Sequence, residues 1–220
     1  QIAAGTNHSL AITTTGQLYA WGQNTFGQLG DSTTTDKSSP VLVSGPASTS
    51  WSIVASGYST CGALTNASIF YSWGLNLSGQ TAVGGSITSP VQLGTSSWTA
   101  IGAGRLYSLA IDINGRLYAW GLNHLGQLGD LTTTNKSSPV LVSGPASTSW
   151  STVSGRNHSL AITTAGRLYA WGEGVYGKLG DSTTTDKSSP VLVSGPASTS
   201  WSQIAAGTNH SLAITTTGQL

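Results

Sequence analysis

Charged residues are scarce in this sequence. They form 7% of its 220 residues, against roughly 25% in an average soluble protein. The formal net charge at pH 7 is +1, and the eight Lys and Arg residues are scattered without forming a basic run. Such a surface has no positive patch that would collect phosphates. We therefore expect no nucleic acid among the partners of this protein.

Sulfur-containing residues and long apolar runs are nearly absent as well. Cys61 is the only cysteine and methionine does not occur, which excludes an internal disulfide framework and a cysteine-based zinc site. No stretch of 18 apolar residues is present, so we expect no transmembrane helix and no insertion into a membrane. Because there is no initiator methionine, we expect the chain to be a segment of a longer or processed polypeptide.

Acidic residues are too few and too regularly placed to form a catalytic set. Of the seven, only Asp112 and Glu173 lie outside a repeated pattern, and the sequence shows no obvious partner for either. Serines are so frequent that their proximity to a histidine carries no information about a Ser-His-Asp triad. We therefore predict that the protein is not an enzyme and that it has no cofactor and no bound metal.

What the sequence contains in abundance is a repeated unit of about 50 residues. The pentapeptide LYAWG, or its variant FYSWG, occurs four times, and a second tryptophan series keeps the same step. Two large aromatic residues per period, in phase, are typical of a repeat protein. The first series is Trp21, Trp73, Trp120 and Trp171, and the second is Trp51, Trp98, Trp150 and Trp201. We treat residues 1–220 as a single domain made of the repeats 1–52, 53–99, 100–151 and 152–202 and a partial repeat, 203–220.

Each repeat contains short runs in which apolar and polar residues alternate. Between His8 and Thr13 the alternation places Leu10 and Ile12 on one face. Residues 17–21 alternate again after a Gly-containing turn, and residues 41–43 form a further run beyond a long loop. Together with the apolar run that opens the repeat, these segments predict an antiparallel meander of four strands. No segment keeps a 3.6-residue apolar period, so we predict no long helix.

Four motifs recur in a fixed order along the chain. In the first repeat they are Gly-x-x-His-Ser-Leu-Ala-Ile at 5–12, Gly-x-Leu-Tyr-Ala-Trp-Gly at 16–22, Asn-x-x-Gly-Gln-Leu-Gly-Asp at 24–31 and Ser-Pro-Val at 39–41. This series resembles the repeat of the regulator of chromosome condensation family, and the match extends over essentially the whole chain. The resemblance implies an all-β fold, a β-propeller of four-stranded antiparallel blades, usually seven in that family. The present chain would supply about four and a half blades.

The two ends of the chain carry duplicated sequence. Residues 203–220 repeat residues 1–18 without a change, and residues 181–202 repeat residues 31–52. In a closed four-bladed ring, residues 1–18 and 203–220 would compete for one position. We therefore favour a chain that is part of a larger, seven-bladed-like ring, completed by further sequence or by a second copy. A closed four-bladed ring is the alternative.

The repeated tryptophans and histidines are predicted to be structural. A four-stranded unit has two faces to bury, and radial stacking covers both, so the eight tryptophans would fill the space between blades. His8, His158 and His210 share one repeat position, and a contact that recurs in several blades is more typical of structure than of catalysis. The alternative, a set of metal ligands or bases, is disfavoured because Thr60 and Tyr107 occupy the same position.

The polar TTTDKSSP segments are predicted to project from one rim of the propeller. Loops on a rigid scaffold are where binding usually occurs, although a merely solvated loop is an equally good interpretation of these segments. As contact residues for a protein or glycan partner we select Phe26, Thr33, Asp36, Lys37, Tyr58, Lys136, Tyr176, Asp186 and Lys187.

These observations favour a non-enzymatic structural or binding module. The low charge and the surface rich in Ser, Thr, Gly and Asn suit an extracellular or virion-surface setting, as in a fibre or an adhesin, with a protein or glycan partner or copies of the same chain. The resemblance offers two alternatives. One is nucleotide exchange on a small GTPase with chromatin binding, but that role uses a charged face and a basic tail, which this chain lacks. The other is inhibition of an enzyme by a face that covers its active site, for which Phe26, Tyr58 and Tyr176 are the aromatic candidates.

Overall fold

The structure is a computed structural model, and it describes residues 1–195 and 199–220. Within these residues the chain forms eighteen β-strands and one short 3-10 turn, Val175–Gly177. The strands of the first two sheets are β1 (Ile2–Ala4), β2 (His8–Ile12), β3 (Leu18–Gly22), β4 (Lys37–Leu42), β5 (Trp51–Ser56), β6 (Thr60–Thr65), β7 (Phe70–Gly74) and β8 (Ile87–Gln92). The remaining strands are β9 (Trp98–Ala103), β10 (Tyr107–Asp112), β11 (Leu117–Gly121), β12 (Lys136–Leu141), β13 (Trp150–Gly155), β14 (His158–Thr163), β15 (Leu168–Gly172), β16 (Lys187–Leu192), β17 (Trp201–Ala206) and β18 (Ser211–Thr215).

The strands form four antiparallel four-stranded sheets and one two-stranded sheet, each a meander in chain order. We call the four complete sheets blades 1 to 4 and the pair β17–β18 the half-blade. The first strands of neighbouring sheets pack side by side, for example β5 against β9 and β9 against β13. These first strands therefore surround a common axis. This arrangement confirms the predicted all-β propeller of about four and a half blades, and residues 1–195 and 199–220 contain no long helix.

The alternation of apolar residues sets the register within a blade. In blade 1, Leu10 lies opposite Ala20 in the β2–β3 pair, and both side chains are fully buried together with that of Leu18. Side chains on one face of a strand point to the same side of the sheet. The period-two pattern therefore fixes which face of each blade packs against its neighbour.

The fourth strand differs from its prediction. We expected it at residues 41–43, but β4 begins at Lys37 and ends at Leu42. Pro40 therefore lies inside the strand. It is tolerated there because β4 is the outer strand of the blade and a residue without an N–H group is accepted at an edge that has no partner. The register between β3 and β4 shifts between Ala20 and Gly22, and this bulge accommodates the extra residues of the outer strand.

Apolar clusters fill the spaces between successive sheets. Between blades 1 and 2, one cluster joins Leu10, Leu18 and Leu29 to Trp51 and Trp73, and similar clusters lie between blades 2 and 3, blades 3 and 4, and blade 4 and the half-blade. The two tryptophans of a blade are neighbours, with ring centroids 6.4 Å apart for Trp51 and Trp73. Burial of a large side chain stabilises by about 2–3 kcal/mol, so these interfaces hold the blades together.

The half-blade occupies a fifth position. It packs against blade 4, while β1 and β2 keep their places in blade 1. In a closed four-bladed ring these two segments would compete for one position. The sheets after the first begin at Trp51, Trp98, Trp150 and Trp201, two residues before the repeat starts drawn from the sequence. Among the described residues, no helix has the length and apolar character needed to cross a membrane.

Candidate functional site

The two ends of the blades differ in the size of their connections. At one end lie the short connections between first and second strands and the long loops between third and fourth strands; in blade 1 these are residues 5–7 and 23–36. The two connections touch, since the amide of Gln23 donates to the carbonyl of Asn7 at 2.9 Å. We call this end, with its equivalents in the other blades, the loop face. The opposite end carries the tight turns between second and third strands.

A buried asparagine organises the long loop of blade 1. The Asn24 side chain is fully buried, and its Nδ2 group donates to Asp31 Oδ1 at 3.0 Å and to the carbonyls of Thr33 and Thr35 at 3.0 and 3.3 Å. Its Oδ1 accepts the amide of Leu29 at 2.9 Å. One side chain thus satisfies backbone groups along the whole loop, which would otherwise be costly to bury.

Blade 3 repeats this network with the same geometry. Asn123 Nδ2 donates to Asp130 Oδ1 at 3.0 Å and to the carbonyl of Thr132 at 3.0 Å, and Asn123 Oδ1 accepts the amide of Leu128 at 2.9 Å. The amide of Asn123 donates to Asn135 Oδ1 at 2.8 Å. In blade 1, Asp36 fills the role of Asn135, and in blade 4 Asp186 accepts the amide of Gly174.

Each long loop is also tied to its own outer strand or to the next blade. Ion pairs join Lys37 to Asp31 at 3.5 Å and Lys136 to Asp130 at 3.4 Å. The amide of Ser32 donates to the carbonyl of Thr88 in blade 2 at 2.8 Å. The same pattern recurs between blades 3 and 4 and in the Lys187–Asp181 pair. These loops are therefore held in one arrangement by contacts at their base, tip and flank.

The structure divides the predicted contact residues into two groups. Thr33, Asp36, Lys37, Lys136, Asp186 and Lys187 make the internal contacts of the loops. Phe26, Tyr58 and Tyr176 are exposed, to 36%, 36% and 76%. The assignment of both groups as partner contacts stays a prediction. Sequence reasoning did not select three further exposed apolar side chains on the same face, Leu77, Leu131 and Val175.

Two of the repeated histidines, His8 and His158, begin second strands and contact the next blade. His8 Nε2 is 2.7 Å from Ser56 Oγ and 3.1 Å from Cys61 Sγ, and His158 Nε2 is 2.7 Å from Ser211 Oγ. His8 and His158 are buried. His210 is exposed, and the described residues include no further blade beside it.

Burial keeps the two enclosed histidines neutral. It lowers the pKa of His8 to about 4, and burial together with the Lys178 ammonium lowers the pKa of His158 to about 4. Ser211 Oγ donates to the carbonyl of Lys178, so His158 Nε2 must be the donor toward Ser211. The Nδ1 atom of each histidine is buried without a partner among the described residues. Protonation would place an unpaired donor there, which explains why the neutral form is favoured.

One backbone carbonyl receives two donors at each complete interface. The carbonyl of Gln127 in blade 3 accepts Trp171 Nε1 at 2.9 Å and Ser159 Oγ at 2.8 Å from blade 4. Trp120 and Ser108 donate in the same way to Gln80 of blade 2. Between blades 1 and 2 the donors are Trp73 Nε1 at 3.0 Å and the thiol of Cys61 at 3.3 Å, on the carbonyl of Gln28.

Cys61 therefore takes the position of a hydrogen-bonding serine. Its side chain is buried, and burial raises the pKa of the thiol to about 12. A thiol so weakly acidic is a poor nucleophile, because the thiolate is the reactive form. Its closeness to His8 thus reflects packing between blades.

The two acidic residues outside the repeat pattern do have partners, contrary to expectation. Asp112 pairs with Arg116 at 2.8 Å, and Glu173 pairs with Lys178 at 2.7 Å. Burial alone would raise the pKa of the Glu173 carboxyl, but the hydrogen bond from Lys178 holds it below its usual range. In the part of the chain that the structure describes, no three His, Cys, Asp or Glu side chains come together as a metal site would require.

Comparison with known proteins agrees with this architecture. The model of the RCC1-like domain matches residues 1–220. The chain is 30% identical over 221 residues to the ultraviolet-B receptor UVR8 of Arabidopsis thaliana, covering 98% of this chain and 50% of UVR8. It is 32% identical over 223 residues to human E3 ubiquitin-protein ligase HERC2, covering 98% of this chain and 5% of HERC2. The chain thus spans half or less of the length of these relatives.

A solved structure gives the same result for the fold. The chain superposes on Prp20p from Saccharomyces cerevisiae with a TM-score of 0.83 and 25% sequence identity, over 97% of this chain and 55% of Prp20p. The structure of Prp20p was described together with its binding to Gsp1p and histones. The similarity extends through all four blades and the half-blade.

Proposed function

Because this chain belongs to the RCC1-like domain family, we propose that it is a non-catalytic module that binds a protein partner through its loop face. The observation that carries the proposal is the set of exposed apolar side chains on that face. Exposed aromatic and aliphatic residues presented by ordered loops are typical of protein interaction surfaces. They are Phe26, Tyr58, Leu77, Leu131, Val175 and Tyr176.

The long loops that present Phe26, Leu131 and Tyr176 are held in place before any partner arrives. In blade 4 the amide of Gly174 donates to Asp186, and Lys187 pairs with Asp181. In blades 1 and 3 the buried asparagines, the ion pairs and the bonds to the next blade fix the loops. A surface that is already ordered loses little conformational entropy on binding. The opposite end carries short turns, among which Ile113 is the exposed large apolar residue.

Tyr176 is the side chain best suited to lead the contact. Its side chain is 76% exposed, and its φ of +66° lies in the left-handed region that bulky residues rarely occupy. Backbone strain of this kind is found at ligand-contacting positions more often than elsewhere. A tyrosine also supplies a large rigid surface with a polar end, a combination enriched in binding hot spots.

The relatives support the class of partner but not its identity. Prp20p has described binding to Gsp1p and histones, and we carry over to this chain only that a protein is bound. A glycan partner, self-association and an extracellular or virion-surface setting remain proposals that rest on the composition of the chain.

Two matched substitutions test the proposal. We would immobilise the wild-type protein and the variants Tyr176→Ser and Ile113→Ser, and identify the proteins that each retains from an extract of the source organism. Both substitutions remove an exposed apolar side chain, 76% and 67% exposed respectively, but from opposite ends of the blades. We expect Tyr176→Ser to lose the specifically retained partner and Ile113→Ser to keep it. Equal retention by the two variants would refute binding through the loop face.

A further inference from the structure

We propose that the centre of the loop face binds an acidic segment of the protein partner. This is where the first strand of each of the five sheets ends, and because these strands surround the axis we call them the inner strands. This inference rests on the proposed function and adds the chemistry of the bound segment. The site consists of the residue that follows the glycine at the end of the first strand of each sheet, and we call it the axial mouth. Its members are Thr6, Tyr58, Arg105, Arg156 and Thr208.

Backbone hydrogen bonds join three of these five connections, those that carry Tyr58, Arg105 and Arg156. The amide of Arg105 donates to the carbonyl of Arg156 at 2.7 Å, and the amide of Tyr58 donates to the carbonyl of Arg105 at 3.2 Å. The preceding glycines make this approach feasible, because a Cβ atom at Gly57 would lie 2.2 Å from the carbonyl oxygen of Gly104. Arginines about fifty residues apart in sequence are thereby placed on adjacent connections.

The two arginine side chains are held at the mouth without a carboxylate. Arg156 Nη2 donates to Thr6 Oγ1 at 3.2 Å, which spans from blade 4 to blade 1. The guanidinium of Arg105 lies over the ring of Tyr58, 5.6 Å from its centroid. Behind them is a polar cavity of about 470 Å³, lined by the inner strands of all five sheets and by Arg156 and Thr208. Each guanidinium keeps most of its five N–H donors available.

On the loop face, the basic side chains that are not neutralised by an ion pair lie at the axial mouth. All seven acidic side chains are engaged elsewhere: five in ion pairs with lysine or arginine and two as acceptors of backbone amides in the long loops. Of the eight basic residues, only Arg105, Arg156 and Arg167 have no ion-pair partner among the described residues. Arg167 lies in the turn between β14 and β15, at the opposite end.

The chemistry of the mouth favours carboxylates. Guanidinium groups bind carboxylates through two parallel hydrogen bonds, and Tyr58 offers an aromatic surface beside Arg105 for the aliphatic part of a glutamate. Nucleic acid is disfavoured because two arginines would neutralise too few phosphates for stable binding at physiological salt. An acidic peptide that extends over the mouth would also reach the exposed apolar side chains of the surrounding loops.

The test uses a fluorescein-labelled hexaglutamate peptide and fluorescence anisotropy at low and physiological salt. We expect wild-type protein and Arg167→Gln to bind it with the same affinity, and Arg105→Gln/Arg156→Gln to bind it at least about tenfold more weakly. Binding of the wild type should weaken as salt is added, and labelled hexaglutamine should not bind. Circular dichroism and the thermal midpoint establish that the variants are folded.

Three results would overturn the inference: no binding of hexaglutamate by wild type, an equal loss with Arg167→Gln, or tighter binding of a hexanucleotide than of hexaglutamate. Partner capture by the loop face is a separate readout. If the partner is retained by wild type and lost by Tyr176→Ser while hexaglutamate does not bind, the proposed function stands and the acidic segment is refuted. If hexaglutamate binds as expected but capture is insensitive to Tyr176→Ser, the apolar loop contact fails and the axial mouth stands.

Discussion

Replacing Asn123 by aspartate should destabilise the protein strongly although it only replaces the side-chain NH2 group by an oxygen. The Nδ2 group of Asn123 donates to Asp130 Oδ1, to Thr132 Oγ1 and to the carbonyls of Thr132 and Thr134, at 3.0 to 3.2 Å. In Asn123→Asp an acceptor would face these acceptors, and a second carboxylate would lie beside Asp130. A buried group left without its partner costs about 1–3 kcal/mol, and the adjacent like charge adds to this, so we expect a loss of about 3–5 kcal/mol at pH 7.

A second Asn→Asp substitution in the same loop is the control. Asn135 accepts the amide of Asn123 through Oδ1, and in blades 1 and 4 aspartates, Asp36 and Asp186, perform this task. Asn135→Asp keeps the acceptor and should change stability by no more than about 0.5 kcal/mol. Urea denaturation followed by tryptophan fluorescence measures both variants. Equal urea midpoints for Asn123→Asp and Asn135→Asp would refute the role given to the buried asparagine.

Three further perturbations test the contacts between blades. The pKa values of His8 and His158 are about 4 in the folded protein, whereas an unfolded histidine titrates near 6.5. Between these pH values the unfolded chain binds more protons, so the free energy of unfolding decreases as the pH falls, by about 3 kcal/mol per histidine. Replacing both histidines by glutamine should make the urea midpoint less dependent on pH between 6.5 and 4, and an unchanged pH dependence would contradict this. Trp171→Phe removes the indole N–H that donates to the carbonyl of Gln127 and should lower the free energy of unfolding by about 1–2 kcal/mol. Trp21→Phe, at a partly exposed position, should lower it less, and the thermal midpoints of the two variants test this order. Cys61→Ser should change the free energy of unfolding, measured in urea, by no more than about 0.5 kcal/mol, and the wild-type thiol should react with a disulfide reagent only on unfolding.

Much of the blade was predictable because its signals are local. The alternation around Leu10 and Ile12 and the recurring LYAWG pentapeptide predict strands of the right type, and the tryptophan spacing predicts the number of sheets. The start of the outer strand was not predictable. Residues 37–40 were expected to end the long loop, whereas they belong to β4, whose free edge tolerates Pro40.

The contacts between blades were beyond the reach of sequence reasoning. His8 meets Ser56 and Cys61 across about fifty residues, and no local pattern specifies which blade face lies opposite which. The adjacency of Arg105 and Arg156 has the same origin, since each arginine alone reads as a solvated surface residue. The repeat position of these arginines, directly after the glycine that ends each inner strand, was the signal that could have brought them together.

Each complete blade after the first is held to the preceding one by a tryptophan and a shared backbone carbonyl. Hydrogen exchange of the indole N–H groups, resolved by nuclear magnetic resonance, measures this directly. We expect slow exchange for Trp73, Trp120 and Trp171, whose Nε1 atoms donate to buried carbonyls, and fast exchange for the partly exposed Trp21 and Trp201. Exchange of Trp21 as slow as that of Trp171, or fast exchange of all five, would contradict it.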